Sequence, residues 1–173
     1  MSNYYIHPHA LVETDKIGEH TRIWAFVHIL KNVSIGSNCN ICDHCFIEQG
    51  VTIGNNVTIK SGIYIWEGAT IEDDVFLGPN VVFTNDLLPR SKHYKPAEKI
   101  VIKKSASIGA NSTLLAGITI GEYAMCGIGS VVTRDVLPYA LVYGNPAKQR
   151  GWVDETGNKM EKTITGEWKS QNG

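Results

Sequence analysis

The sequence predicts an all-β fold, a parallel solenoid of short strands, and three observations support this prediction. Aliphatic residues recur at a spacing of six from Ile17 to Leu77, and the pattern returns from Ile102 to Val132. A small or β-branched residue usually follows four positions later, and glycine or asparagine recurs where tight corners are needed. A period of six fits neither an α-helix nor a plain alternating strand, but it fits a short strand followed by a turn.

The repeat begins close to the N-terminus and defines the height of the predicted solenoid. Ile6 and Val12 start the pattern one residue out of register with the uninterrupted run that begins at Ile17. Three six-residue units make one coil, so residues eighteen apart should stack on the same wall of a three-sided prism. Roughly six coils at ~4.8 Å per strand spacing give a height of about 29 Å.

The period stops between Thr84 and about Val101, in a segment with two prolines and charges of both signs. A long irregular loop in a compact fold is uncommon and usually functional, although a tolerated surface insertion is the alternative. We expect a solenoid domain over residues 1–136 with its loop at 84–101. Residues 137–173 should form a C-terminal cap and tail, because the last strand edge has to be covered.

The charge balance excludes several classes of function. The chain has 16 Lys and Arg residues against 17 Asp and Glu residues, whereas nucleic-acid-binding domains are normally strongly basic. No apolar run approaches the ~18 residues that a membrane span requires, and the N-terminus does not resemble a signal peptide. We therefore expect a cytoplasmic protein without nucleic-acid or membrane partners, and four cysteines do not change that expectation.

One wall of the predicted prism carries aromatic, carboxylate and amide side chains on its outer surface. Stacking residues eighteen apart gives one column of His28, Phe46, Tyr64 and Val82, a second of Leu30, Glu48, Trp66 and Thr84, and a corner column of Lys31, Gln49, Glu67 and Asn85. This wall leads directly into the irregular loop, so we expect the functional site here. A subunit interface is the other interpretation of the aromatic residues, and the two can coincide.

The cysteine-rich segment does not predict a metal site. Cys39, Cys42, His44 and Cys45 have a spacing that invites a zinc interpretation. The repeat, however, turns Cys39 and Cys45 inward on different walls and Cys42 outward, so the ligands cannot converge on one tetrahedral centre. We expect no metal.

The sequence offers no convincing general base for acyl transfer. Transfer to an amine needs a neutral amine, a polarised carbonyl and a proton acceptor. His28 is three coils, ~14 Å, from the level of Asn85, which is too far for direct proton transfer. His93 lies in the loop, where a lone histidine is more often solvated.

Several segments carry a family resemblance. The repeat of an aliphatic residue, glycine and a small residue resembles the hexapeptide-repeat acyltransferases, whose fold is the left-handed parallel β-helix. Residues 23–29, 78–86, 89–91 and 144–152 resemble the nucleotide-linked aminosugar N-acetyltransferases, most of all those acting on dTDP-3-amino-3,6-dideoxyhexoses. The resemblance covers residues 1 to about 160.

The resemblance implies a reaction and an assembly. Acetyl-CoA would be the co-substrate, and acetyl would be transferred to the 3-amino group of the dTDP-sugar in glycan precursor synthesis, as for lipopolysaccharide or S-layer glycans. The protein would be a homotrimer with active sites between subunits. Asn85 would lie beside the reacting amine, no side chain would act as the base, and the departing sulfur would take the proton.

The resemblance and the wall together predict the binding residues. The dTDP-aminosugar would extend from Asn85 along the column and contact His28, Glu48, Gln49, Tyr64, Trp66 and Glu67, with Arg90 or Lys92 near the diphosphate. Coenzyme A would lie against Ala116, Gly117 and Gly127, with Lys148 and Arg150 near its phosphates. A 4-amino dTDP-sugar or a UDP-3-amino-uronate as acceptor, and a non-catalytic β-solenoid scaffold, stay open as alternatives.

Overall fold

The structure, a computed structural model, describes residues 3–163 and 167–170, and these form a three-walled parallel β-solenoid. The remaining residues of the predicted tail, 164–166 and 171–173, lie outside the described part of the chain. Most strands are only two residues long, because the chain turns a corner after every six-residue unit. The all-β prediction is confirmed.

The walls are three parallel sheets, which we call A, B and C. Wall A contains β1 (Tyr5–Ile6), β3 (Arg22–Ile23), β6 (Asn40–Ile41), β9 (Thr58–Ile59), β12 (Phe76–Leu77), β15 (Ser107–Ile108), β18 (Met125–Cys126) and β20 (Ala140–Gly144). Wall B contains β2 (Leu11–Val12), β4 (His28–Ile29), β7 (Phe46–Ile47), β10 (Tyr64–Ile65), β13 (Val82–Phe83), β16 (Thr113–Leu114) and β19 (Val131–Val132). Wall C contains β5 (Ser34–Ile35), β8 (Thr52–Ile53), β11 (Ala69–Ile71), β14 (Ile100–Ile102) and β17 (Thr119–Ile120).

The predicted eighteen-residue coil is confirmed by the strand register. Ile29 pairs with Ile47 and Ile47 with Ile65 on wall B, and Ile23 pairs with Ile41 on wall A. The inward aliphatic residues are almost completely buried and form one continuous core. Because side chains alternate along a strand, the residues on either side of each aliphatic point outward.

The corner between walls A and B has an unusual composition. From the second coil onward, one backbone position there has a positive φ, and it is occupied in turn by Phe26, His44, Gly62, Asn80, Asn111 and Gly129. This left-handed conformation favours Gly and Asn, because a Cβ crowds the following carbonyl oxygen. Phe26 and His44 therefore depart from the glycine or asparagine that the later coils have at this position.

The irregular loop is two residues shorter than expected. The strand that resumes the solenoid begins at Ile100, which is buried and pairs with Ala69 of β11, so the loop covers residues 84–99. At the other end, β20 pairs in parallel with β18, after which the chain reverses direction. The strands β21 (Ala147–Val153), β22 (Lys159–Lys162) and β23 (Trp168–Ser170) extend wall A in antiparallel pairs.

Candidate active site

The outward column of wall B lies where the sequence predicts. Tyr64 is in register with Phe46 on one side and with Val82 on the other, and Phe46 is in register with His28. Phe46, Tyr64 and Trp66 form a triangle of rings with centroids 5.8–6.4 Å apart. Together with His28 they line an open depression of about 400 Å³. Tyr64 is 54% exposed, so a planar group can reach this surface.

Two hydrogen bonds tie successive coils of this wall together. The indole N–H of Trp66 donates to the carbonyl oxygen of Phe83 at 2.9 Å, immediately before Thr84. Glu48 accepts a hydrogen bond from the backbone N–H of Glu67 at 2.8 Å. The bond from Trp66 fixes the end of the strand that leads to Asn85. The bond to Glu48 fixes one carboxylate of the predicted substrate column.

Asn85 lies at the base of the loop, where the two ends of the loop meet. Its carbonyl oxygen accepts a hydrogen bond from the N–H of Glu98 at 2.9 Å. Two glycines border this junction: a Cβ on Gly68 would come 3.0 Å from the Glu98 carbonyl oxygen, and one on Gly117 would lie 4.0 Å from a Glu98 carboxylate oxygen. Glu98 is exposed and thus brings a carboxylate near Asn85, a feature that the aperiodic loop sequence did not indicate.

Thr84 links the coil that contains Asn85 to the coil after the loop. Its hydroxyl donates to the Leu114 carbonyl oxygen at 3.2 Å and accepts from the Ala116 N–H at 2.8 Å. Ala116 is buried, with only 2% of its surface exposed. The sequence placed Thr84 in the column but did not predict these two hydrogen bonds. The loop adds thirteen residues to the eighteen of a normal coil, so counting by eighteen from Thr84 does not reach Ala116.

His28 has a carboxylate partner that the sequence did not predict. Its Nε2 lies 3.0 Å from a carboxylate oxygen of Glu13, and both side chains are about one-third exposed. Two strands, β7 and β10, separate His28 from Val82, as expected for a distance of three coils. The pair is therefore far from Asn85 and belongs to the opposite end of the column.

The loop itself is open to solvent. The Arg90 guanidinium donates to the carbonyl oxygen of Pro89 at 2.8 Å, and the His93 side chain is exposed. Gln49 and Glu67 lie at the corner between walls B and C, half-way between His28 and the loop. The cation, the amide and the carboxylate are all exposed to solvent.

The residues predicted to bind coenzyme A divide into two groups. Ala116 and Gly117 follow β16 of wall B, next to Thr84 and Glu98. Gly127 follows β18 of wall A, where an added Cβ would lie 2.8 Å from the Cβ of Tyr143. Within one chain these two groups are on different walls. The close packing against Tyr143 alone explains why residue 127 is a glycine.

Lys148 and Arg150 lie near the second group, on the exposed strand β21. The Arg150 guanidinium carbon is 5.5 Å from the centre of the Tyr143 ring, a cation–π arrangement. Lys148 is opposite Tyr143 in the antiparallel pair of β20 and β21. The two cations and Gly127 thus share the C-terminal end of wall A.

The cysteines adopt the orientations that the repeat predicts. Cys39, Cys45 and Cys126 are buried and Cys42 is partly exposed. Burial raises the pKa of the Cys45 thiol to about 11 and that of the Cys126 thiol to about 12. Within residues 3–163 and 167–170, no group of three His, Cys, Asp or Glu residues is arranged to hold a metal ion.

No helix in the described part of the chain is long and apolar enough to cross a membrane.

Comparisons with known proteins agree with the repeat. Family descriptions of the bacterial transferase hexapeptide (six repeats) match residues 16–49 and 50–85, and that of the hexapeptide repeat of succinyl-transferase matches residues 100–134. These matches stop on either side of the loop. They identify the solenoid as the hexapeptide type, the left-handed parallel β-helix.

Among solved structures, the fold is similar to that of sugar N-acetyltransferases. A variant of the GDP-perosamine N-acetyltransferase of Caulobacter crescentus, bound to CoA and GDP-perosamine, matches with a TM-score of 0.59 and 23% identity. The match covers 87% of this chain and 58% of that one. An N-acyltransferase variant from Bacillus cereus, bound to dTDP and coenzyme A, matches with a TM-score of 0.50 and 20% identity over 86% of this chain and 80% of that one.

A much higher sequence identity relates the chain to a curated enzyme. The dTDP-3-amino-3,6-dideoxy-α-D-galactopyranose 3-N-acetyltransferase of Aneurinibacillus thermoaerophilus is 65% identical over 158 residues, which is 91% of this chain and 82% of that protein. At this identity and coverage, the chain belongs to the family of hexapeptide-repeat sugar-nucleotide N-acetyltransferases that includes this enzyme.

Proposed function

We propose that the protein transfers acetyl from acetyl-CoA to the 3-amino group of a dTDP-3-amino-3,6-dideoxyhexose. The observation that carries this proposal is the wall B column, in which the rings of Tyr64 and Trp66 and the hydrogen-bonded carboxylate of Glu48 lie on the coils that precede Asn85. The relative from A. thermoaerophilus has this activity in its name. The fold is shared with proteins whose structures contain coenzyme A and a sugar nucleotide or dTDP.

In the proposed reaction, Asn85 orients the acceptor and does not remove a proton. An amide has no useful basicity, but its oxygen can accept an N–H of the neutral amine and direct the nitrogen lone pair towards the thioester carbonyl carbon. The C–N bond then forms, the C–S bond breaks, and the coenzyme A sulfur takes a proton from the nitrogen. The reaction is therefore balanced without a general base near Asn85.

The column supplies sites for each part of the acceptor. Glu67 and Gln49 lie one and two coils from Asn85 along the corner and would bind sugar hydroxyls, while Glu48 keeps this corner in place through Glu67. Tyr64 and Trp66 offer ring faces for the thymine, and base–aromatic stacking contributes about 1–3 kcal/mol. Arg90 would swing from Pro89 to the diphosphate, and His28 closes the far end.

The acetyl donor would approach from the other side of Asn85. Gly117 presents backbone rather than a bulky side chain there, which suits a pantetheine arm, and Ala116 before it is buried and held by Thr84. Gly127, Lys148 and Arg150 lie on wall A, so they would serve a coenzyme A molecule bound between adjacent chains. The homotrimer with active sites between subunits is part of this proposal.

The proposed location is the cytoplasm, and the proposed role is glycan precursor synthesis. Acetyl-CoA is a cytoplasmic metabolite in bacteria, and the four cysteines are all free. The solenoid domain over residues 1–136, with a cap and tail after it, remains our division of the chain.

A thiol-release assay with acetyl-CoA tests the reaction. The panel contains 3-amino and 4-amino dTDP-6-deoxyhexoses and a UDP-3-amino-uronate, and the 3-amino dTDP-sugar should have the highest kcat/KM. Faster turnover with another member would reassign the acceptor. No turnover with any member, together with no heat of coenzyme A binding, would indicate a scaffold instead.

Asn85→Ala tests the central residue. We expect kcat to fall by about a hundredfold or more, because the amine loses its orientation, while the oligomeric state stays unchanged. The control is Thr52→Ala, which shortens an exposed side chain on wall C, away from the column. A wild-type kcat in the Asn85 variant would refute the residue assignment.

A further inference from the structure

The strand that follows the loop fixes the place of Glu98 in the coil. Ile100 of β14 pairs with Ala69 of β11, so Glu98, two residues earlier, lies one coil after Glu67 at the corner between walls B and C. The backbone agrees with this placement, because a Cβ added to Gly68 would lie 3.0 Å from the Glu98 carbonyl oxygen. Glu98 therefore continues the corner column to which Glu67 belongs.

The chain passes this corner twice at one level, because it leaves the solenoid at Asn85 and returns to it at Glu98. A hydrogen bond of 2.9 Å from the Glu98 N–H to the Asn85 carbonyl oxygen joins the two passages. Two residues later, the Ile100 N–H donates to the Gly68 carbonyl oxygen at 3.2 Å, so the backbone of Glu98 is held on both sides. An amide residue and a carboxylate residue thus share the level at which the predicted substrate column ends.

The Glu98 carboxylate lies towards the proposed donor side. One of its oxygens would be 4.0 Å from a Cβ added to Gly117, which shows that the side chain extends to the next coil. Ala116, immediately before Gly117, is tied to Thr84 by the hydrogen bond from its N–H. The carboxylate is therefore between the coil of Asn85 and the surface proposed for the thioester, where the acceptor nitrogen has to be held.

The charge of Glu98 has no partner within the described part of the chain. The side chain is exposed, no described Lys, Arg or His forms an ion pair with it, and no hydrogen bond from a described residue reaches its carboxylate. By contrast, Glu48 accepts the Glu67 N–H, and Glu72 is paired with Lys103. A carboxylate whose charge the fold does not use, on a backbone that is held in place, is available for a ligand.

The acceptor proposed above carries the complementary charge. An aliphatic amine is mostly protonated at neutral pH, as that of lysine is, so a 3-amino sugar reaches the protein mainly as an ammonium ion. A carboxylate accepts N–H bonds from such a group, and opposite charges strengthen these bonds. A sugar with a hydroxyl at the same carbon offers one O–H and no charge. A carboxylate at this place therefore distinguishes an amino sugar from the corresponding hydroxy sugar.

We propose that Glu98 determines the preference for an amine as acceptor, because its carboxylate binds the 3-ammonium group of the dTDP-sugar beside Asn85. This inference rests on the proposed function and adds a specificity-determining residue to it. Glu98 takes no proton in the reaction. The bound ammonium ion releases one proton to solvent at the open side of the loop. The neutral amine then attacks the thioester, and the coenzyme A sulfur takes the second proton.

The kinetic effect of this carboxylate differs from that of Asn85. The nitrogen is positively charged both in the bound ammonium ion and in the adduct that forms with the thioester, so Glu98 stabilises both. Binding that is equally strong before and during the reaction changes KM and leaves kcat nearly constant. Asn85 orients the nitrogen lone pair and acts on kcat. The two residues at this level therefore have separable kinetic signatures.

Two paired ligands test the proposal by calorimetry in the absence of acetyl-CoA. They are the dTDP-3-amino-3,6-dideoxyhexose and the dTDP-6-deoxyhexose that has a hydroxyl at C3. Glu98→Gln keeps the shape of the side chain and should weaken binding of the amino sugar by about tenfold, the range for a charge-assisted hydrogen bond. Binding of the hydroxy sugar should stay the same. Equal losses for both ligands would show a structural role, and no loss for either would remove Glu98 from the site; both outcomes overturn the proposal.

Steady-state kinetics provide a second measurement. In Glu98→Gln the KM for the amino sugar should rise about tenfold, with kcat changed by less than about threefold and the KM for acetyl-CoA unchanged. Glu98→Asp keeps the charge and should recover part of the loss. Glu19→Gln removes an exposed carboxylate at the corner between walls C and A and is the matched control. A fall in kcat with an unchanged KM would contradict a binding role for Glu98.

Failure of the proposed function and failure of this inference can be distinguished. If the wild type releases no thiol from acetyl-CoA, the proposed function is wrong, whereas the two ligands still measure whether Glu98 prefers the amine. If the wild type is active and Glu98→Gln retains the full preference for the amino sugar, only the assignment of Glu98 is wrong. The Tm of Glu98→Gln should equal that of the wild type, because the hydrogen bond to Asn85 is made by the backbone.

Discussion

The hydroxyl of Thr84 joins the two halves of the proposed active site, and its removal should affect both stability and turnover. Thr84→Val keeps the shape of the side chain but removes the hydrogen bonds to Leu114 and Ala116. The buried Ala116 N–H loses its partner, which costs about 1–3 kcal/mol. A loss of about 2 kcal/mol corresponds to a fall in Tm of roughly 4–8 °C for a chain of this size.

Turnover should fall for a geometric reason. Ala116 borders the proposed donor side and Asn85 adjoins Thr84, so the hydroxyl sets the distance between donor and acceptor. A displacement of about 1 Å can reduce the rate by ~100-fold, and we expect kcat to fall at least about tenfold with little change in either KM.

Differential scanning fluorimetry and steady-state kinetics measure the two effects. Thr84→Ser keeps the hydroxyl and should retain most of the stability and turnover. Thr113→Val makes the same change on the neighbouring strand β16, where no side-chain hydrogen bond of the threonine is found among the described residues. If Thr84→Val has the Tm and kcat of Thr113→Val, the linking role of the hydroxyl is wrong.

Three further predictions concern packing and thiol chemistry. Gly127→Ala should destabilise the protein by about 1–3 kcal/mol with or without coenzyme A, because its Cβ would crowd Tyr143. Equal urea midpoints of unfolding for the variant and the wild type would contradict this. Ile65→Ala, at a completely buried position, should cost about 2–5 kcal/mol in urea unfolding, and a loss below about 1 kcal/mol would argue against a close-packed core. At pH 8 a thiol reagent should modify Cys42 rapidly and Cys126 only on unfolding. The pKa of about 12 for the Cys126 thiol leaves a thiolate fraction of about 10⁻⁴ at this pH. Rapid modification of Cys126 in the folded protein would refute its burial.

The sequence was sufficient for the fold and for the stacking of the column. The inward aliphatic residues repeat without interruption, so the register of Ile29, Ile47 and Ile65 follows from counting alone. Outward residues such as His28 and Tyr64 are placed by the same count, because strand side chains alternate.

Contacts across the loop could not be predicted in this way. Thr84 bonds to Ala116 and Asn85 to Glu98, and both contacts depend on how an aperiodic segment returns to the solenoid. Glu13 was also missed, since it belongs to the first coil, where the register is shifted by one residue. The position of Gly127 on wall A was predictable from the period, but its contact with Tyr143 requires the antiparallel turn of the cap.

Because the proposed site is built on repeated coils, its length can be altered by adding or removing a whole coil. Each turn of the chain advances by one strand spacing, so distances along wall B change only in steps of ~4.8 Å. Deleting residues 34–51, one full turn, would leave every corner and every inward residue in phase while moving His28 and Glu13 one step closer to Asn85. The length of the acceptor cleft can therefore be shortened or lengthened by whole coils without redesigning a single side chain of the core.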